Sequence, residues 1–460
     1  MHLSKFLVVA GTFMANAGVH AEFRNVMYYD VHPYPSNKTS DLDDITHVIT
    51  AFVDPMSFSS KEYSKFKNSS FPTGIPTVEY LRNIFPNNST KMGISLGGWG
   101  PYSLSFSTVS TSDQRDNFAA NLADWMDNNS YDFVDIDWEY PGGGGDPEPS
   151  DVTAKADIVN FAPFLQSIKS NIKDKNISLT LAGTEVGMAA FFAPRNETHI
   201  QNAWDVVEFA TIMAYDFVNR DSSYTGHHTD IAHTYDAVIQ YLAFGLKREQ
   251  INLGFAFYAK WFQTIPDCAE PLDCALVPPE TPNRTDTGKS GVLTFREASL
   301  QATINYSHMG QLLNTTNGVC GINANGTLSN FKCLPGDCCS SDGWCGHDDS
   351  HCQGCQPGFG DCTGPNVPLS FQKAQKNSIT DTVDGGVYYW DNATVSLDNT
   401  KAPPLFWTWE TPDMMKRKYE QIIFPLGLGG VTGWSLGEDD VSLNYTRTMN
   451  WMVKNATSAS

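Results

Sequence analysis

The chain has 460 residues and a formal net charge of −21, from 30 Lys and Arg against 51 Asp and Glu. This acidic balance argues against nucleic acids and anionic membrane surfaces as partners, because both attract clustered basic side chains. With 41% hydrophobic and 12% aromatic residues, the composition is that of a globular protein, and neutral ligands such as sugars stay compatible with it.

The N-terminus predicts a secretory signal peptide over residues 1–21. Lys5 supplies a positive charge, Phe6–Phe13 begins an apolar run, and Val19–Ala21 offers small residues at a cleavage site. A membrane anchor is the alternative, but the run is too short for one and is interrupted by Asn16. Frequent N-x-S/T sequons agree with export. We therefore expect a secreted glycoprotein, extracellular or in a cell wall.

Short apolar, β-rich runs recur along the chain. They are Asn25–Tyr29, Thr46–Val53, Lys91–Gly97, Phe133–Glu139, Ser178–Gly183, Val207–Tyr215, Asn252–Tyr258 and Gly430–Ser435. The stretches between them that resemble helices include Ser112–Asn128, Ala154–Lys173 and Pro412–Phe424. Strands that alternate with helices predict a parallel sheet, and eight such runs predict an α/β fold of the closed (β/α)8 type, a TIM barrel.

The fourth run, residues 132–139, reads D-F-V-D-I-D-W-E and places Asp135, Asp137 and Glu139 on one face of a strand. Neighbours on that face are about 6.6 Å apart, so three ionised carboxylates would repel one another. A protonated carboxyl resolves the conflict, and at the C-terminal end of a barrel strand it is a general acid. A structural role is the alternative, and it is the role we predict for Asp132, which faces the other side.

The connection 260–429 is too long for a compact barrel, which predicts inserted domains. All ten cysteines lie between Cys268 and Cys362. In an exported chain, the cluster from Cys320 onwards predicts a small disulfide-held module, and zinc ligation is the alternative. Cys268 and Cys274 remain as a separate pair, and a disulfide between them would close another loop.

The motif D-x-x-D-x-D-x-E, followed by Y-P-G at residues 140–142, resembles the signature of family 18 glycoside hydrolases, the chitinases. Three further motifs agree in order and position. Ser95–Trp99 resembles the family's third-strand S-x-G-G motif, Met213–Asp216 its sixth-strand M-x-Y-D motif, and Gly430–Trp434 its eighth-strand segment. The resemblance implies a hydrolase acting on chitin or chitooligosaccharides, with a small α+β insertion between strands 7 and 8. No metal or nucleotide motif is present, so no cofactor is expected.

The implied mechanism is substrate-assisted retention, in which the N-acetyl group of the −1 sugar attacks C1. Glu139 would protonate the glycosidic oxygen and later activate water. Asp137 would accept a hydrogen bond from the acetamide N–H, and Tyr215 would donate one to the acetamide oxygen. Asp135 would lie beneath Asp137 and share its proton.

The resemblance also implies the side chains that hold the sugar. Trp434 would form the apolar floor of the −1 subsite, and Trp99 would line the aglycone side. The other implied substrate contacts are Asp216, Met213, Tyr28 and Tyr258. For each aromatic residue, packing in the barrel is the alternative. The chain departs from the family at Phe133, which we expect to pack behind the strand, and at Lys260, which lacks the planar fork of the usual Arg.

Within the cysteine cluster, Cys338–Gly346 resembles the hevein-like chitin-binding module. That resemblance implies disulfide pairs that spacing alone could not select: Cys320–Cys339, Cys333–Cys345, Cys338–Cys352 and Cys355–Cys362. Ser340 and Trp344 match the sugar-binding positions of such modules, whereas Asp342 and His351 stand where aromatic residues are usual. The module is therefore either a weak chitin binder or a structural remnant.

Three hypotheses follow. The first is a secreted, monomeric chitinase, with a barrel of residues 22–319 and 363–460 and a module of residues 320–362 between them. The second is a non-catalytic chitin lectin, which the presence of Glu139 disfavours. The third is an endo-β-N-acetylglucosaminidase acting on glycoproteins, against which the cysteine module favours chitin. Neither nucleic acid nor membrane is expected as a partner.

Overall fold

The structure is a computed structural model. It describes residues 23–30, 40–69, 71–72, 74–192, 203–302, 312–323, 327–340, 342–352, 355–362, 364–394, 396 and 402–458. The predicted signal peptide, residues 1–21, lies outside these ranges. Within them, no helix is both long enough and apolar enough to cross a membrane.

Eight parallel strands close into a barrel, as the sequence predicts. Seven of them are β1 (Arg24–Tyr29), β2 (His47–Val53), β3 (Lys91–Gly97), β4 (Phe133–Asp137), β5 (Asn176–Ala182), β6 (Phe209–Met213) and β7 (Ile251–Ala256). The eighth is β17 (Gly430–Trp434), which pairs with β7 and β1 and so closes the ring. Nearly every strand residue is buried, as expected of a parallel sheet covered on both faces.

The helices have the following bounds: α1 (Tyr63–Lys67), α2 (Val78–Ile84), α3 (Pro101–Val109), α4 (Arg115–Asn128), α5 (Asp151–Ile172), α6 (Glu185–Phe192), α7 (Ile231–Ala243), α8 (Phe295–Ala302), α9 (Asp349–Cys352), α10 (Val367–Lys376), α11 (Pro412–Lys418), α12 (Phe424–Leu426) and α13 (Asn444–Ser458). Helix α5 begins earlier than predicted, because the Ser150 hydroxyl accepts the Thr153 N–H and caps it. The predicted helix 412–424 is interrupted by a π-turn at Tyr419–Ile423.

The long connection between β7 and β17 contains the predicted insertion. Its strands are β8 (Tyr258–Gln263), β9 (Ser290–Thr294), β10 (Leu313–Asn314), β11 (Phe331–Lys332), β12 (Cys338–Cys339), β13 (Cys345–Gly346), β14 (Ile379–Thr380), β15 (Val387–Asp391) and β16 (Leu405–Trp409). An antiparallel sheet forms in the order β14-β15-β16-β8-β9. Helix α10 packs on it through Phe371, whose ring lies 4.7 Å from that of Trp407. The α+β insertion is therefore confirmed.

Five disulfides are present among the described residues. One joins the separate pair Cys268–Cys274, and the other four join the pairs that the resemblance implies: Cys320–Cys339, Cys333–Cys345, Cys338–Cys352 and Cys355–Cys362. Among the described residues, the one cysteine group compact enough for a metal consists of Cys320, Cys333 and Cys345. Each of these sulfurs is in a disulfide, so the group offers no thiolate for zinc.

Phe133 lies inside the barrel, and the expectation that it packs behind β4 is wrong. Its ring is 5.5 Å from that of His47 and 5.9 Å from that of Phe209. Side chains two residues apart share a strand face, so Phe133 belongs to the face of Asp135. Gly93 on β3 leaves room for the ring, since a Cβ there would lie 2.3 Å from it. The rings of Phe133 and Phe209 therefore fill part of the barrel interior below the carboxylates, beside the His47 imidazole.

Candidate active site

Asp135 lies on β4 in the barrel interior and is fully buried. Its carboxylate accepts hydrogen bonds from four hydroxyl groups, at 2.7 Å for the first three and 3.3 Å for the last: those of Tyr28, Ser95, Ser178 and Thr180. Burial raises the pKa of Asp135 above its ordinary value, although the four donors act in the opposite direction. Asp135 is therefore held rigidly between β1, β3 and β5.

Asp137, the last residue of β4, has a different environment. It is buried, and its Oδ1 has no hydrogen-bond partner among the described residues. Burial raises the pKa of Asp137 well above its usual range, and the charges of Glu139 and Asp135 add to the rise. No hydrogen bond joins the carboxyl groups of Asp135 and Asp137, so the proposed sharing of a proton between them stays a prediction.

Glu139 lies two residues beyond the end of β4 and is half-buried. Its backbone N–H donates to the hydroxyl oxygen of Ser103 on α3, at 2.6 Å. Burial raises the pKa of Glu139 to about 7, against a hydrogen bond from Tyr140 and with a contribution from the charge of Asp216. A carboxyl group with such a pKa can carry a proton near neutral pH, as a general acid must.

Met213 ends β6 and Tyr215 lies just beyond it, and both join Tyr258 and Trp434 in one apolar cluster at the barrel mouth. The rings of Tyr215 and Tyr258 meet edge to face, 6.2 Å apart. Burial raises the pKa of Tyr215 well above its usual range, and the charge of Asp137 adds to the rise. The Tyr215 hydroxyl therefore stays protonated and can donate a hydrogen bond.

Asp216 has a left-handed backbone, with φ of 61°. Its Oδ1 accepts from the Tyr258 hydroxyl at 2.9 Å and lies 3.0 Å from the Lys260 ammonium. Burial alone would raise the pKa of Asp216, but Lys260 and His228 hold that pKa well below its usual range. Lys260, whose role the sequence left in doubt, therefore keeps Asp216 ionised beside the other carboxyl groups.

Trp434 ends β17 and is half-buried. Its ring stacks on Phe52 at 5.5 Å with an interplanar angle of 20°, and it lies 5.0 Å from the ring of Tyr28. Trp99 is 57% exposed, and its ring meets Tyr140 at 6.4 Å. The aromatic residues predicted to bind sugar therefore frame the mouth in which Glu139 and Asp137 lie.

A buried ion pair supports the segment between Met213 and Asp216. The Lys418 ammonium lies 2.6 Å from the Glu410 carboxylate, and both side chains are at most 1% exposed. Lys418 also donates to the Thr229 hydroxyl, which lies within hydrogen-bond distance of the Ala214 carbonyl oxygen. Sequence reasoning missed this group, whose members are up to 189 residues apart.

Sequence reasoning also missed the hydroxyl groups around the carboxylates. Ser178 and Thr180 alternate along β5 as Asp135 and Asp137 do along β4, so their inward face was readable from the strand period. Ser103 lies in a helix, and no periodicity indicates that its hydroxyl reaches Glu139.

In the cysteine-rich segment, Trp344 is 53% exposed. Its backbone N–H donates to the hydroxyl oxygen of buried Ser340 at 3.1 Å. Asp342 is exposed, and His351 lies against Asp348. The two predicted sugar-binding residues are therefore adjacent, with the Trp344 ring open to solvent.

The fold is shared with solved structures. Catalytic domain 2 of the Group II chitinase of Ostrinia furnacalis superposes with a TM-score of 0.59 at 16% sequence identity, covering 94% of this chain and 97% of that domain. At such low identity the likeness shows the fold alone.

Relatives are also found among curated proteins. Chitinase 1 of Aphanocladium album is 27% identical over 307 residues, which is 59% of this chain and 70% of that protein. Endochitinase 1 of Metarhizium robertsii is 27% identical over 202 residues, covering 40% of this chain and 45% of that protein. The chain thus spans only part of the length of these relatives.

The family described as Glycosyl hydrolases family 18 matches residues 24–439. The match runs from the first barrel strand past the last and includes all four motifs quoted from the sequence. It confirms the predicted family and with it the predicted class of enzyme, a glycoside hydrolase. The chain therefore belongs to family 18 of the glycosyl hydrolases.

Proposed function

We propose that the chain is a chitinase that hydrolyses β-1,4-linked N-acetylglucosamine polymers by substrate-assisted, retaining catalysis. The observation that carries the proposal is the pair of carboxyl groups at the end of β4. Glu139 has its pKa raised to about 7, and buried Asp137 has an oxygen without a hydrogen-bond partner in the part of the chain that the structure describes. Its relatives named as chitinases support the choice of substrate.

In the first step, Glu139 gives its proton to the glycosidic oxygen while the C1–O bond breaks and the leaving sugar departs as an alcohol. The acetamide oxygen of the −1 sugar attacks C1, which forms an oxazolinium ion. Asp137 accepts the acetamide N–H on its unpartnered oxygen and stabilises the positive charge. The Tyr215 hydroxyl donates to the acetamide oxygen and orients it.

In the second step, Glu139 is ionised and acts as a base. It takes a proton from a water molecule that attacks C1, and the oxazolinium ring opens to restore the acetamide. Two inversions at C1 give net retention of the β configuration. One protein carboxyl serves as both acid and base, because the substrate supplies the nucleophile.

Binding of the sugar polymer depends on exposed aromatic side chains and on Asp216. Trp434 forms the floor of the −1 subsite, Trp99 stacks on the aglycone sugar, and Met213 and Asp216 contact the −1 sugar. Tyr28 and Tyr258 donate to Asp135 and Asp216, so they shape the site chiefly through those carboxylates.

The partner of the enzyme is chitin or chitooligosaccharide, and the protein acts outside the cell as a monomer. The N-terminal pattern of residues 1–21 supports export. The segment 320–362 is a hevein-like module that binds chitin weakly through Trp344 and Ser340, since one exposed aromatic ring gives little stacking surface.

The alternatives are a chitin lectin and an endo-acting N-acetylglucosaminidase on glycoproteins. A lectin needs no proton donor, so the raised pKa of Glu139 favours the enzyme. The glycoprotein substrate shares the same chemistry, and the cysteine-rich module favours chitin over it.

Release of a chromophore from a chitobiose or chitotriose glycoside tests the proposal. Glu139→Gln should lower kcat by at least about 100-fold, since the amide cannot donate an acidic proton. Asp132→Asn is the matched control, because Asp132 belongs to the same motif but accepts from the Met92 N–H on the outer face. Equal activity of Glu139→Gln and the wild type would sink the mechanism.

A further inference from the structure

We propose that Ser103 is a positioning residue that fixes the backbone of Glu139 and thereby aims its carboxyl group. The proposal rests on the function assigned above, since it takes Glu139 to be the acid. Its basis is the hydrogen bond from the Glu139 N–H to the Ser103 hydroxyl oxygen, 2.6 Å long and closed off from solvent by the burial of Ser103.

The hydrogen bond replaces a strand partner that Glu139 lacks. Pairing of β3 with β4 ends at Gly97 and Asp137, and the Gly98 N–H donates to the Asp137 carbonyl at 2.8 Å. Beyond that point the chain leaves the sheet, so no ladder carbonyl is available to the Glu139 N–H. A backbone donor that is left unpaired in a buried site costs free energy. The Ser103 hydroxyl supplies the acceptor.

The other side of Glu139 is enclosed by backbone. A Cβ atom at Gly145 would lie 2.1 Å from the Glu139 carbonyl oxygen, so the glycine-rich loop after the motif runs directly against it. The N–H side of Glu139 faces Ser103 and the carbonyl side faces Gly145. What is left to the residue is mainly its side-chain torsions, which suits a proton donor that must meet one oxygen.

The position of Ser103 links the acid to the aglycone side of the cleft. Helix α3 begins at Pro101, directly after Trp99 and Gly100, and the Ser103 N–H donates to the Gly100 carbonyl at 3.0 Å. The exposed ring of Trp99 therefore lies just before the helix turn that carries the hydroxyl bonded to the Glu139 N–H. We infer that this turn sets the position of the acid relative to a sugar stacked on Trp99.

The test compares Ser103→Ala, Ser103→Thr and Ser107→Ala in the full chain, by kcat, KM and the pH profile of kcat on a chromogenic chitobioside. Ser107 is the matched control, since it lies one turn along α3 and donates to Asp157 at 2.8 Å, away from Glu139. Thermal melting of each variant reports any loss of fold.

Ser103→Ala should lower kcat by about 5- to 30-fold with KM nearly unchanged, the range expected from losing one buried hydrogen bond in the transition state. The alkaline limb of kcat should move to lower pH, because a looser Glu139 carboxyl reaches water and its pKa falls. Ser103→Thr keeps a hydroxyl acceptor and should have a kcat and an alkaline limb close to those of the wild type. Ser107→Ala should change only the melting temperature.

The inference would be overturned if Ser103→Ala had the same kcat and the same alkaline limb of its pH profile as the wild type. An equal fall of kcat in Ser107→Ala would also overturn it. Failure of a folded Ser103→Thr variant to recover activity would count against it too. The Glu139→Gln variant distinguishes a failure of the proposed function from a failure of the role of Ser103. If that variant is fully active, the proposed function fails, and if it is inactive while Ser103→Ala is unaltered, only the role of Ser103 fails.

Discussion

Asp135 and Asp137, two carboxyl groups of strand β4, differ in the hydrogen-bond donors that surround them. Asp135 has four hydroxyl donors around it, whereas Asp137 has an oxygen with none among the described residues. Asp135 is thus fixed by the barrel, whereas Asp137 keeps an acceptor for the acetamide N–H that the proposed mechanism assigns to it. Carboxyl groups with such different surroundings commonly divide the roles in an active site.

Asp216 affects the protonation of Glu139, the proposed acid. Its negative charge raises the pKa of Glu139, which must be protonated to work, so kcat should fall as pH rises through about 7. Asp216→Asn removes that charge, so the pKa of Glu139 should drop and the fall of kcat should occur at lower pH. Lys260→Met should shift it in the same direction, because Asp216 without its ammonium partner takes up a proton and loses the charge that acts on Glu139. Kinetics across pH 4–9 would measure both variants, and a shift to higher pH in either would show that the charge of Asp216 does not set the pKa of Glu139.

The identities of the acidic residues could be predicted from the sequence, but the hydrogen bond of Ser103 to the Glu139 backbone could not. The alternation of side chains in a strand places Asp135, Asp137 and Glu139 together. The same rule, applied with the wrong parity, misplaced Phe133. Ser103 escapes any periodic rule, because its helix and β4 meet only in the folded chain.

At the scale of elements, the strands were predictable because parallel strands are buried on both faces and read as apolar runs. Each predicted end agrees with the structure to within two residues. β4 is the instructive case, since its apolar run continues through Trp138 while its hydrogen bonding stops at Asp137. Glu139 therefore belongs to a loop, where its backbone needs Ser103.

The ion pair behind β6 makes a prediction for stability. Lys418→Met should lower the free energy of unfolding by about 3–5 kcal/mol, because Glu410 would be left as an uncompensated buried charge. The double variant Glu410→Gln with Lys418→Met removes both charges and should recover part of that loss. Urea unfolding followed by fluorescence would measure each variant, and a double variant no more stable than the single one would refute the explanation.

For the whole molecule, pH should act on stability through buried acids. Burial raises the pKa of Asp157 to about 6 from 3.8, against a hydrogen bond from Ser107. The folded state therefore binds more protons than the unfolded state between these values, so stability should fall as pH rises from about 4 to about 6. Asp157→Asn should flatten that slope in melting curves.

Asp116→Asn is the control for that slope, since Asp116 also accepts from a serine, Ser167, but lies exposed on α4. An equal change of slope in the two variants would show that the burial of Asp157 is not the cause.

The long connection between β7 and β17 was predictable as an insertion from its length alone. Its sheet order, with β16 between β15 and β8, was not, since strands far apart in sequence pair there. The disulfide pairs came from a family resemblance, because eight cysteines permit too many pairings for spacing to decide.

The proposed mechanism requires the acetamide group of the substrate itself, and two matched glycosides test this requirement. One is a chromogenic chitobioside, and the other differs only by a free amine in place of the N-acetyl group on the −1 sugar. The measurement is the ratio of kcat/KM for the two with the wild-type enzyme. We expect hydrolysis of the acetylated glycoside and a kcat/KM at least about 1000-fold lower for the amine, since the nucleophile is absent. Comparable values of kcat/KM for the two would contradict it.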